Sequence, residues 1–83
     1  MEHLSFRFEP KWREELVCTC RLGAFSLEMT MGSATEVYLP TEEAWQKKAP
    51  EWAKPYWDQL HSQLASWCGS RYPLFLSETA PIY

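Results

Sequence analysis

Three cysteines and one histidine are the residues in this chain whose chemistry calls for first consideration. Cys18 and Cys20 stand two apart in "LVCTCRL", and His61 and Cys68 stand seven apart in "HSQLASWC". On an extended strand both sulfurs point to one face. Seven residues is nearly two helical turns, so His61 and Cys68 share an edge of a helix. Folded together, Cys18, Cys20, His61 and Cys68 could make a Cys3His zinc site. The spacing argues for something plainer. C-x-C is not the C-x-x-C of a zinc knuckle or a thioredoxin-type site, and the strand face with both thiols also carries Leu16 and Leu22. Free cysteine in such company behaves as a small buried hydrophobe. The reading is three structural thiols, no metal and no cofactor.

No other catalytic constellation emerges. His61 has Asp58 three residues before it, but no nucleophile stands near it in any recognisable motif. Three isolated glycines cannot build a phosphate-cradling loop. Paired catalytic acids need a cleft that raises one pKa, and a small sheet with one long helix rarely encloses one. The sequence therefore predicts a protein that is not an enzyme.

The carboxylates suggest a different role. Glu28 and Glu36 fall on facing strands and on their polar side, where they would form an acidic stripe joined by Glu14 and Glu15. Such a stripe suits a basic protein partner, because complementary charge speeds and orients association. The formal net charge is −3, and the eight Lys and Arg residues are scattered, with "QKK" at 46–48 the densest cluster. Nucleic-acid binding needs several cations on one surface, so that class is set aside. Tryptophan and tyrosine are favoured at binding hot spots, and five tryptophans in 83 residues is a high count. Trp57 and Trp67 lie on a helical apolar stripe and read as core. Trp45 and Trp52 flank a proline elbow and read as candidates for the partner surface, with Trp12 over one end of the core.

The elements that must position these residues follow from the hydrophobic period. The first half has period two. "LSFRF" places Leu4, Phe6 and Phe8 on one side of a strand that Pro10 ends. "LVCTCRL" and "FSLEMTM" read as a hairpin across Gly23-Ala24 that pairs Leu22 with Phe25. A loop of three residues or a bulge at "GSA" keeps Val37 and Leu39 of the fourth strand facing the core.

The second half has period 3.6. Thr41 is an N-cap for a short helix over 42–48, whose first turn holds Glu42 and Glu43. Pro50 breaks that helix. From Trp57 the apolar residues recur at 57, 60, 64, 67 and 68, with Gly69 as the C-cap and Asp58, Gln59, Ser62, Gln63 and Ser66 on the wet face. "PLFL" is a last strand at a sheet edge. The order β-β-β-β-α-α-β makes one α+β domain over 1–83, a two-layer sandwich with an antiparallel sheet of four to five strands under one long helix.

No segment reads as a signal peptide or a membrane span. An odd number of cysteines argues against a disulfide scaffold. The expectation is a reduced, cytoplasmic protein.

The run "LPTEEAWQKKAPEWAKPYWDQLHSQLASWC", followed by "YPLFL", resembles small bacterial immunity proteins encoded beside toxins. The spaced elements from Thr41 to Trp45 and from Ala49 to Ala53 carry the resemblance, which covers roughly residues 39–76. It implies a non-enzymatic module that binds and neutralises a cognate toxin or effector. The residues alone leave two alternatives open: a homodimeric accessory protein that self-associates through an exposed strand edge or Trp patch, and a small zinc or thiol protein.

Overall fold

The computed structural model describes residues 2–11 and 14–83. The strands are β1 (Arg7–Lys11), β2 (Glu15–Cys20), β3 (Gly23–Thr30), β4 (Glu36–Pro40) and β5 (Leu74–Ser77). Between β4 and β5 come helix α1 (Glu42–Lys48), a 3-10 helix (Glu51–Tyr56) and helix α2 (Trp57–Cys68). The five strands form one sheet in the order β1-β2-β3-β4-β5. The fold is α+β. Trp12 lies outside the described residues.

Strands β1 to β4 run antiparallel, but β5 runs parallel to β4, so the sheet is mixed rather than antiparallel. The helical connection makes this possible. Parallel neighbours need a crossover of a dozen or more residues, and the helical segment between Pro40 and Leu74 is long enough to carry the chain back to the start of β4 before β5 begins. Thr41 caps α1, its Oγ1 accepting from the Ala44 N–H at 3.3 Å. Gly69 ends α2 at φ 53°, a conformation that favours glycine.

The core gathers Leu16, Cys18, Phe25, Leu27, Met29, Val37 and Leu39 from the sheet with Trp45, Ala53, Leu60, Leu64 and Cys68 from the helical segment. Period two therefore holds: alternate strand residues are buried under the helices. The β2–β3 hairpin departs from its expected register. Cys20 pairs with Gly23, and the turn is Arg21-Leu22. Cys20 thus faces Gly23 where the expected register put Leu27. The slip is four residues, an even number, so no side chain changes face. Leu22, expected in the core, moves to the turn and is 39% exposed. Close packing explains why glycine stands at 23: a Cβ there would sit 2.9 Å from the Trp52 ring.

The N-terminal segment also differs. β1 begins at Arg7 and runs through Pro10, which an edge strand tolerates. Among the described residues, 2–6 pair with no strand. Instead, the side chains of Gln59 and Gln63, expected in water, hold them against α2. Gln59 accepts from the Leu4 N–H at 2.8 Å and donates to the Glu2 carbonyl at 3.0 Å. Gln63 accepts from the Phe6 N–H at 2.7 Å and donates to the Leu4 carbonyl at 2.6 Å. The two amides, one helical turn apart, substitute for a neighbouring strand and bring Leu4 to full burial.

Candidate functional site

The strand registers assemble a surface on the sheet face that the core does not use. One row crosses all five strands: Lys11 opposite Glu15, Glu15 opposite Glu28, Glu28 opposite Tyr38, and Tyr38 beside Phe75. Glu36, two residues before Tyr38, lies on the same face and accepts a 2.6 Å hydrogen bond from the Tyr38 hydroxyl. Glu14 precedes this row in a turn at φ 61°, and its carbonyl accepts from the Met29 N–H. The carboxylates expected as a stripe are thus brought together on or beside one face.

The row is acidic at its centre, with Lys11 the cation at its β1 end. Like charges directly opposite across strands are destabilising, yet Glu15 faces Glu28. Lys11, the nearest cation in the register, also contacts Glu9 at 3.4 Å. The field of the carboxylates is felt by Tyr38, whose pKa is raised first by its hydrogen bond to Glu36, then by partial burial and by the negative charges of Glu36 and Glu28. The phenol therefore stays protonated and donates.

Two aromatic side chains complete the surface. Tyr38 and Phe75 stack with ring centroids 5.6 Å apart and planes 26° from parallel, and Phe75 is 43% exposed. Sequence reasoning did not include them. The signal for Tyr38 was its strand parity with Glu36. Phe75 could be placed only by knowing that β5 lies beside β4.

The tryptophans are elsewhere. Trp45, expected at the partner surface, is fully buried: its indole N–H donates to the Ala53 carbonyl at 3.0 Å and its ring meets Phe25 edge-on at 5.2 Å. A two-turn helix has one inward face, and Ala44 and Trp45 occupy it. Trp52 is half-buried over Gly23 and 6.1 Å from the Phe25 ring, on the core side of the sheet. The acidic row and the proline elbow therefore do not form one surface. Trp57 and Trp67 pack against the core, partly buried, and Trp57 donates to the Pro40 carbonyl at 2.9 Å.

The thiols do not converge with His61. Cys18 and Cys68 are buried in the core, and burial pushes both thiol pKa values up, with Arg71 opposing this at Cys68. Cys20 is half-buried, and the His61 ring packs tilted against Trp57, with centroids 4.8 Å apart. Among the described residues no group of three or more His, Cys, Asp or Glu side chains is placed to hold a metal ion. A shallow cleft of about 270 Å³ lies between α1 and the chain after β5, lined by Thr41, Glu43, Lys47, Lys48 and Glu78. Lys48 closes it, donating to the Glu78 and Ala80 carbonyls. Among the described residues no helix is long and apolar enough to cross a membrane.

No family model matches the chain, and no curated protein or solved structure shows significant similarity to it.

Proposed function

We propose that the chain is a two-layer α+β sandwich whose uncovered sheet face is a docking surface for a basic protein. The observation that carries this reading is the row Glu15–Glu28–Tyr38–Phe75 with Glu36 beside it. A fold gains nothing by setting Glu15 against Glu28, and local conflicts of this kind concentrate where a partner resolves them. A basic loop placed over the row would pair with three carboxylates, and the Tyr38–Phe75 stack would supply an apolar anchor next to them.

Within this class the reading is an immunity protein that neutralises a cognate bacterial toxin or effector by covering its basic, substrate-binding surface. It is non-enzymatic and acts in the cytoplasm, where its free thiols remain reduced. The test is co-expression with the product of the adjacent gene. Protection of the host cell and co-purification of a complex are expected, and both should be lost in Glu15→Lys/Glu28→Lys. Full protection by that variant, with its fold intact, would overturn the reading.

A further inference from the structure

The two edges of the sheet are built differently, and the difference points to a second copy of the chain. Edge strand β1 reads Arg-Phe-Glu-Pro-Lys. Its charges and its proline are the features that keep an exposed edge from pairing with another strand. Edge strand β5 reads Leu-Phe-Leu-Ser and has neither. It exposes apolar side chains on both faces, with Phe75 43% and Leu76 46% accessible.

The outward backbone groups of β5 follow from its inward ones. The Val37 N–H donates to the Pro73 carbonyl and the Thr41 N–H to the Ser77 carbonyl. Residues 73 and 77 therefore face β4, as does 75 between them, so Leu74 and Leu76 direct their N–H and C=O groups away from the sheet. Proline at 73 removes a donor only on the β4 side, leaving the outer edge intact.

We infer that β5 pairs antiparallel with β5 of a second copy, in a register centred on Phe75. The segment Leu74-Phe75-Leu76 reads the same in both directions, so the pairing is self-complementary: Leu74 meets the partner's Leu76 in a hydrogen-bonded pair, and Phe75 meets the partner's Phe75 across the two-fold axis. The exposed Leu76 is covered by the partner's Leu74. On the other face the Tyr38–Phe75 stack extends into a ladder of four rings. Charge favours the same direction. Arg71 and Glu78 stand at opposite ends of the strand, so antiparallel pairing brings each towards its opposite charge in the partner, whereas parallel pairing would align like charges. The contact is short beside the roughly 1,200–2,000 Å² of a stable interface, so the dimer is a weak, concentration-dependent one.

This inference shares the Tyr38–Phe75 stack with the docking reading but does not rest on it, and Leu76 separates the two because it pairs with Leu39 on the core side of the sheet, away from Glu28 and Glu36. The experiment is sedimentation velocity on the whole chain from about 1 to 500 µM, a span that brackets weak association. The mass should rise from the 9.8 kDa monomer towards twice that value. Leu76→Lys should raise the dimer dissociation constant at least 10-fold while leaving the melting temperature unchanged. If Leu76→Lys proves unstable, Leu76→Thr, which keeps strand propensity, should show the same loss of dimer. A wild-type chain that stays monomeric throughout, or a folded Leu76 variant that dimerises as well as wild type, overturns the proposal.

Discussion

The Gln63→Met substitution tests whether the two-amide clamp secures the N-terminal segment. Methionine keeps the length and most of the volume of the glutamine stem, so packing against Leu4 and Phe6 changes little. What it removes is the acceptor for the Phe6 N–H at 2.7 Å and the donor to the Leu4 carbonyl at 2.6 Å. A neutral hydrogen bond contributes about 1 kcal/mol net, so the pair contributes about 2 kcal/mol. For a domain of this size each kcal/mol corresponds to roughly 4–8 °C in melting temperature, which gives an expected fall of about 8–16 °C. Part of the loss should be local. The Leu4 and Phe6 amides, protected only through glutamine side chains, should exchange roughly 30-fold faster, the equivalent of about 2 kcal/mol. Thermal unfolding by circular dichroism and amide exchange by NMR read the two effects, with Ser62→Ala on the exposed side of α2 as control. An unchanged Phe6 exchange rate with a melting temperature within about 2 °C of wild type would refute the clamp.

Three further outcomes follow from the same packing. Gly23→Val drives a side chain into the Trp52 ring, which a bare Cβ would already approach to 2.9 Å; the expected cost is about 1–3 kcal/mol by denaturant melting, with Trp52 fluorescence shifting to the red. Glu36→Gln removes the carboxylate that raises the Tyr38 pKa, so the Tyr38 ionisation followed by ultraviolet absorbance should move to lower pH. Because the folded pKa is raised, the stabilisation from this bond is full below the ordinary tyrosine value and is lost as pH climbs through the raised one. In native protein at neutral pH a disulfide reagent should modify Cys20 first, and Cys18 and Cys68 should react only on the timescale of unfolding, since both are buried with raised pKa values.

Much of this architecture was legible in the residues because local signals agreed. Thr41 and the two glutamates after it mark the start of α1, and the stripe from Trp57 to Cys68 with Gly69 behind it fixes α2. What local pattern could not supply was anything decided between elements. Residues 2–6 alternate like a strand, yet their partners are glutamine amides about 55 residues away on a helix. The hairpin register sets Gly23 opposite Cys20 and under the Trp52 indole, a contact between distant segments that strand alternation does not reveal. The candidate surface shows the same division. Glu28 and Glu36 could be placed by strand parity alone. Phe75 joined them only through the parallel pairing of β5 with β4, and Trp45 left the surface because a short helix against a core buries the largest side chain on its inner face.

The central claim, that the Glu15–Glu28–Glu36 face with Tyr38 docks a basic protein, is tested most directly by measuring association of the purified chain with the adjacent gene's product at several salt concentrations. The account predicts an association rate that falls steeply as salt rises, a rate cut at least tenfold by Glu28→Lys/Glu36→Lys, and faster dissociation in Tyr38→Ala. Tight binding that is indifferent both to salt and to the charge reversal would contradict it.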